Sequence, residues 1–435
     1  MRLLKTIGRG ASATRQALEE LEHRRDSGTE EDVTPIVRRI VNAIRKGGDK
    51  ALRTYATKLD GLLPQSQLQI TPEEMERAWE QTAKPLREAL KVAADKIRGF
   101  AERQLPSDWS FAPVPGLSTG QMVRPISAVG CYVPSGRHPL PSSLLMTVVP
   151  AQVGGVERIV VVSPNPATET LAAAHLLGVE HFYRIGGAQA IAALAYGTET
   201  VSRVDKIVGP GNSYVTAAKK LVAFDCAIDM LAGPTEIVVT SDKGDPAYIA
   251  AELVAQAEHD PEALAILVTT VPQLASQVIA EVKSRVRSND IARQSISKHG
   301  WVFVASSTGE AREITNRLAP EHLTVDNSSD RLWVQNAGSI FVGPNSPQPM
   351  GDYISGPNHT LPTSGYARVR GGLCVLDFVK IITVQEYDRS ALKLLGPAAI
   401  ALAEAEGLNG HADAIRARGI DAPATAKKTQ KGQRA

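Results

Sequence analysis

Downstream of Gly120 the chain alternates short apolar runs with helical runs, and no other feature restricts its fold as tightly. Ile159-Val160-Val161-Val162, Phe182-Tyr183-Arg184-Ile185 and Lys206-Ile207-Val208 read as strands, spaced by helical runs over 170–177, 188–195 and 213–222. A second set follows: a strand from Ile237 to Thr240, a helix over 247–258, a strand from Ala265 to Val268, a helix over 272–286 and a strand from Trp301 to Val304. Strands this short and apolar are buried on both faces, and parallel neighbours need a helix to carry the chain back. The expected class is α/β, with two Rossmann-like parallel-sheet domains, an N-terminal helical arm and a small C-terminal helical appendage.

Residues 1–30 are charged and weakly patterned, an arm that needs something else to pack on. From Val33 to Phe100 the pattern is helical, and Thr71-Pro72-Glu73-Glu74 carries an N-cap, a proline at the first position and a Glu at the third. These early helices are read as completing the second α/β set. Residues 31–127 and 237–378 then form one domain and 128–236 the other, followed by a small piece over 379–420 that is helical from Glu386 to Gly407. Residues 421–435, rich in Ala, Lys, Thr and Gln, have nothing to bury and are expected to be disordered.

With 435 residues there is chain enough for two cores. Forty-eight basic against 46 acidic residues, a formal charge of +2, give no reason to expect a nucleic acid or an acidic membrane as partner. No apolar run reaches membrane-span length and no amino-terminal signal is evident, while the three cysteines are scattered. Neither a disulfide framework nor a thiolate metal site fits that usage, and a cytoplasmic location is expected.

Ala319-Pro320-Glu321-His322-Leu323 places two proton-transfer groups side by side between a helical run and a strand. An imidazole beside a carboxylate suits successive acid and base steps; the competing reading is a helix end with a favourable His and a solvated Glu. Pro320 is expected to hold Ala319 extended. Gly186-Gly187-Ala188-Gln189 and Gly209-Pro210-Gly211-Asn212 each open a helix after a strand, where free amides would face an anionic ligand, although neither completes the dinucleotide fingerprint. Gln256 and His259 lie three apart on one helical face, an acceptable half-site for zinc or simply a polar helix end stopped by Pro261. Asp352, His359, Glu406 and His411 sit in Gly- and Pro-broken polar turns. Gln256, His259, Asp352 and His411 would make a four-ligand N/O site if the fold joined them.

Taken together, Gln256-Ala257-Glu258-His259, Ala319 to Leu323, Gly351-Asp352-Tyr353, Gly356-Pro357-Asn358-His359 and Glu406-Gly407-Leu408 with His411 resemble the motifs of the histidinol dehydrogenase family, in order and at its spacing. The two glycine turns and Ala232-Gly233-Pro234-Thr235-Glu236 match it too, and the resemblance runs from about residue 30 to about residue 418. It implies an NAD- and zinc-dependent enzyme that oxidises L-histidinol to L-histidine through two hydride transfers. It further implies one zinc per subunit on Gln256, His259, Asp352 and His411, acid/base roles for Glu321 and His322, and NAD contacts at Tyr132, Gln189 and Asn212. Substrate contacts fall on Thr235, His359 and Glu406, and on His322 and the four metal residues. The family's homodimers share their active sites through the C-terminal piece. Two departures stand out: Thr235 where Ser is frequent, and Gln348 where an acidic residue is expected near the imidazole. The alternatives are a superfamily enzyme for another primary alcohol such as a sulfopropanediol, disfavoured by the charge of Glu406, a zinc-binding protein without activity, and a zinc hydrolase.

Overall fold

The computed structural model describes residues 1–8, 11–24, 29–135 and 139–421; the tail expected to be disordered lies, from Ala422 on, outside them. It divides into two units, one of residues Met1–Leu105 and Pro125–Val379, the other of Pro106–Arg124 with the chain from Lys380 on.

The larger unit holds two six-stranded sheets. Sheet I runs β2-β7-β6-β5-β8-β9, with β2 Gln69–Ile70, β5 Ala128–Tyr132, β6 Arg158–Val162, β7 His181–Tyr183, β8 Lys206–Val208 and β9 Ala227–Ile228. All its pairs are parallel except β2 with β7. Sheet II is wholly parallel and runs β1-β12-β11-β10-β13-β14, with β1 Arg2–Lys5, β10 Glu236–Thr240, β11 Leu264–Thr269, β12 Gly300–Val304, β13 His322–Val325 and β14 Ser339–Val342. Each sheet starts at a central strand, winds outward to one side, and then crosses back. The reversal falls between β5 and β8 in sheet I and between β10 and β13 in sheet II.

Helices α1 Ala11–Glu22 and α12 Thr308–Leu318 cover one face of sheet II, and α9 Pro246–Ala257, α10 Pro272–Arg285 and α11 Asp290–His299 cover the other. The N-terminal arm thus packs within its own chain: β1 pairs with β12, and Ala17, Leu18 and Leu21 of α1 join Ile314 and Leu318 of α12 in one core. The early helices cover sheet I, not the second set as the sequence suggests. The apolar stripe Val37, Ile40, Val41, Ile44 and Leu52 of α2 Thr29–Leu59 meets Ile191, Leu194 and Val215 of α7 Gly187–Tyr196 and α8 Ser213–Val222. On the opposite face, α3 Pro72–Gln81 and α4 Lys84–Gln104 pack with α5 Pro141–Val153 and α6 Thr168–Leu176. An apolar stripe says that a helix is covered and leaves open by which sheet. The start signal at Thr71 is realised as a full capping box with Glu74. A short helix, α13 Gln348–Tyr353, follows sheet II.

In the smaller unit β3 Trp109–Val114 and β4 Leu117–Pro125 form a hairpin that pairs with β15 Val379–Tyr387 in the order β15-β4-β3. The domain boundary expected at 127 is therefore corrected: residues 106–124 belong with the C-terminal piece, whose two helices follow a strand. Among the described residues, helices α14 Arg389–Ala405 and α15 Asn409–Arg416 enclose a small core of Ile400, Ala403, Ala412 and Ile420, with Leu392 and Ile415 packed against it. Trp109, Phe111, Ile381, Leu394, Leu402 and Leu408 stay exposed. Among the described residues no helix is long and apolar enough to cross a membrane.

Candidate active site

Glu321 and His322 enter at the amino end of sheet II, where the strand order reverses. His322 is the first residue of β13 and lies beside Ile237 of β10. Helix α12 ends at Leu318, and the buried Ala319 takes the left-handed conformation (φ 45°, ψ 63°) instead of the extended one its proline neighbour favours. Its N–H closes the helix on the Thr315 carbonyl at 3.2 Å, and this left-handed cap turns the chain straight into β13. A non-glycine residue held there is strained, a feature that gathers at working sites.

Both side chains are tied to the start of β10. Glu321 Oε2 accepts from Thr235 Oγ1 at 2.6 Å and from the Glu236 N–H at 2.7 Å. The His322 Nδ1–H donates to the Glu236 carbonyl at 3.0 Å, which fixes the tautomer. Nε2 is left buried without a hydrogen-bond partner, 3.7 Å from Asp352 Oδ1. Burial pushes the Glu321 carboxyl up to about 7, against His322 and its two donors. Burial alone would pull His322 down, but the Glu321 and Asp352 carboxylates outweigh it and push the imidazole up to about 9. The two titrate as a coupled pair that keeps protons at the site into the neutral range. The solvated helix end is ruled out, because Glu321 is 6% and His322 3% exposed. His322 lines a cavity of roughly 330 Å³ together with Phe341, Asp352, Asn358 and His359.

Gln256, in the last turn of α9, is buried; its Nε2 donates to Thr235 Oγ1, and its Oε1 has no partner. Thr235 therefore links Gln256 to Glu321, with one lone pair left over. Asp352 on α13 faces His322, and Gln348 donates to its Oδ2 at 2.7 Å. Burial would raise the Asp352 carboxyl, but His322, His359 and Gln348 hold it below the usual range. The Gln348 N–H also meets the Glu252 carboxylate at 3.1 Å. An acid at 348 would set its carboxylate against that of Asp352, so the neutral amide suits the position. The His359 Nδ1–H donates to the Asp352 carbonyl at 2.8 Å, and its Nε2 lies 3.3 Å from Ser143 Oγ on α5. Burial lowers its imidazole, and both Asp352 and His259 act on it electrostatically. His259, just past α9, is exposed. Glu406 and His411 belong to the smaller unit, exposed at the end of α14 and on α15.

Among the described residues no three His, Cys, Asp or Glu side chains form a metal cluster. The donors of the larger unit that could hold a metal are the Gln256 amide oxygen, His259 and the Asp352 carboxylate, of which the last two both act on the charge of His359. A buried amide oxygen without a donor is costly unless a cation or ligand donor meets it, so the set fits a divalent metal.

The other sequence candidates gather at the carboxyl end of sheet I. Tyr132 closes β5; its Oη accepts from the Gly187 N–H at 3.2 Å, and burial pushes its hydroxyl up to about 12. Asp60, at the end of α2, accepts from the Gly186 N–H at 3.1 Å and from Gln189 Nε2 at 3.0 Å. The start of α7 is thus not the open anion site that the glycine turn suggests, since Asp60 and Tyr132 already use two amides. Gln189 Oε1 is buried and unpartnered, an acceptor that calls for a ligand donor such as a hydroxyl. Asn212 caps α8 through the Val215 N–H at 3.2 Å. Gly209 (φ +110°) passes so close to Tyr132 that an added Cβ would fall on its carbonyl. The buried Lys219–Asp229 ion pair pins it, Asp229 accepting its N–H at 2.8 Å and Lys219 donating to its carbonyl at 3.0 Å.

Sequence reasoning missed Asp60, Ser143, Lys219, Asp229 and Glu252. Only a polar residue beside a wholly apolar run, as Asp229 stands beside β9, hints at such a buried partner.

A profile of the histidinol dehydrogenase family matches residues 23–419. The chain is 45% identical over 401 residues to the histidinol dehydrogenase of Methanothermobacter thermautotrophicus, covering 89% of this chain and 94% of that one. To the histidinol dehydrogenase of Bacillus cereus it is 44% identical over 419 residues, covering 93% and 97%. The crystal structure of histidinol dehydrogenase from Elizabethkingia anophelis superposes with a TM-score of 0.90 at 33% identity, covering 96% and 98%.

Proposed function

This chain belongs to the histidinol dehydrogenase family, and on that premise we propose that it oxidises L-histidinol to L-histidine through a bound aldehyde, as a zinc-dependent NAD oxidoreductase. The observation that carries the reading is the buried, unpartnered Nε2 of His322, its tautomer set by the Glu236 carbonyl, beside the buried carboxyl of Glu321. When bound, NAD supplies the hydride acceptor for both oxidations and zinc a Lewis acid that orients the substrate's amine and imidazole.

The chain's residues manage the protons. His322 Nε2 takes the alcohol proton in the neutral form of the imidazole, the form that grows as pH rises toward about 9, since an alcohol is too weak an acid to lose it unaided. Glu321, held through Oε2, takes a proton from the water that adds to the aldehyde. Gln256, His259, Asp352 and His411 are assigned to the zinc, one per subunit. Thr235, His359 and Glu406 join these residues and His322 as substrate contacts, and Tyr132, Gln189 and Asn212 are assigned to NAD.

Glu406 and His411 are exposed on a unit with a small core, which supports a homodimer in which that unit completes the partner's site. Histidinol should yield two NADH per molecule and histidine as product. NAD reduction by a sulfonated diol but not by histidinol would overturn the substrate. Mixing inactive His322→Ala and His411→Ala dimers with subunit exchange should give heterodimers with one intact site, each recovering up to about half the activity of a wild-type dimer by two-fold pairing. No recovery after demonstrated exchange would show that each site is built within one chain.

A further inference from the structure

One residue anchors both proton-transfer groups through its backbone. The Glu236 N–H holds Glu321 and the Glu236 carbonyl holds His322, so a small shift of residue 236 moves the two together. The Glu236 side chain faces away into a buried clamp. Arg24, two residues beyond α1, meets it fork to fork, Nε to Oε1 at 2.6 Å and Nη2 to Oε2 at 2.7 Å. The same guanidinium donates to the carbonyls of Leu21 at 2.6 Å and of Leu318 at 2.9 Å. Leu318 is the last residue of α12, immediately before the left-handed Ala319 that leads into Glu321. The Ser364 N–H donates to Glu236 Oε1 at 2.8 Å.

We propose that Arg24 and Glu236 are positioning residues for this reaction, a clamp that fixes β10 and the α12–β13 turn against each other and so sets the spacing of Glu321 and His322. The proposal rests on reading those two as the proton-transfer pair. Neither Arg24 nor Glu236 lines the cavity beside His322. A planar guanidinium bound to a carboxylate by two bonds specifies direction as well as distance, and a lysine cannot reproduce that. The simpler account, a buried pair that merely stabilises the fold, is weak on energy, because desolvation offsets most of the attraction in such pairs.

The molecule supplies its own control. Arg317 and Glu22 form a second two-bonded ion pair between α12 and α1, at 2.7 and 3.0 Å, that touches neither Glu236 nor the turn. In the zinc-loaded enzyme Arg24→Lys should lower kcat about 10-fold and Arg24→Ala about 100-fold, the cost of misplacing reacting groups by an ångström or less. KM for histidinol and for NAD and the zinc content should stay near wild type, and added guanidinium should restore part of the Arg24→Ala rate. Glu22→Gln should lower Tm and leave kcat unchanged. Should Arg24→Ala not fold because Glu236 is left buried and unpaired, the paired Arg24→Met/Glu236→Gln variant removes both charges and should still lose kcat. Unchanged kcat in Arg24→Lys and in the paired variant overturns the proposal, as does a loss that follows Tm in the way Glu22→Gln does. His322→Ala, assayed alongside, separates the two claims: if it keeps full turnover the proton-transfer reading fails, and if it alone is inactive only the clamp fails.

Discussion

Sheets I and II share one winding order and use opposite ends. In sheet I the candidate residues follow the strands: Tyr132 closes β5, Gln189 follows β7 and Asn212 follows β8. In sheet II they precede them, with Thr235 and Glu236 opening β10 and Glu321 and His322 opening β13. Crossover helices run antiparallel to their strands, so helix N-termini gather at the carboxyl end of a sheet and helix C-termini at the amino end. Sheet I thus gathers glycine turns and helix starts at one end, with the Gly186, Gly187 and Gly209 amides already bound within the chain. Sheet II offers the last turns of α9 and α12, where partial negative charge favours a metal ion and an imidazolium. The same topology provides two kinds of site because the chain uses both of its ends.

If that division holds, lesions at sheet II act on kcat and lesions at sheet I on NAD affinity. The largest effect should come from chelation, which should abolish turnover and leave the far-ultraviolet dichroism near native, because the ligands join elements with their own cores; collapse of the dichroism would break the division. His322→Ala should lower the first oxidation by about 10²–10⁴-fold, the range for a lost general base, with NAD affinity unchanged by titration calorimetry.

Glu321→Gln should slow the second NADH equivalent more than the first in single turnover; equal slowing of both would merge the two roles. In the wild type the second step should rise with pH through about 7, as burial holds Glu321 protonated below that. A carboxyl raised by burial contributes most to stability at low pH and loses that contribution as pH rises through its folded value. Glu321→Gln keeps the uncharged form, so above pH 7 its Tm should equal or exceed that of the wild type. The smallest effect sharpens the other side: Gln189→Ala should raise KM for NAD about 10-fold, one hydrogen bond's worth, with kcat nearly unchanged.

The two sheets were unequally legible. Apolar runs of strand length exposed parallel strands in both, though not their order, and the adjacent Glu321 and His322 marked a turn worth examining. Local pattern could not say that Val37 and Ile44 face Ile191 and Val215, because a stripe carries no address. The sequence suggests no element between Phe100 and Gly120, where the strand Trp109–Val114 lies, and Pro113 weakens its strand pattern. The Asp60–Gln189 contact spans 129 residues, and nothing beside Asp60 announces a glycine turn so far away. The left-handed Ala319 defeats its local rule because the helix-closing bond and the entry to β13 outweigh the preference set by Pro320.

The strand β1 has a consequence in time. Its residues Arg2–Lys5 pair with Trp301–Val304, whereas sheet I is complete once the chain reaches Ile228. A chain emerging from the ribosome can therefore close sheet I while its own first strand still lacks a neighbour. Pairing across some 300 residues is slow, because the loop must close before any contact repays it. The core of sheet I should thus mature first and the β1–β12 edge of sheet II last, with β1 waiting for the growing chain to supply β12. Pulsed hydrogen exchange during refolding should protect the amides of β5 and β6 before those of β12, and protection in the reverse order would show that the N-terminal strand nucleates the fold.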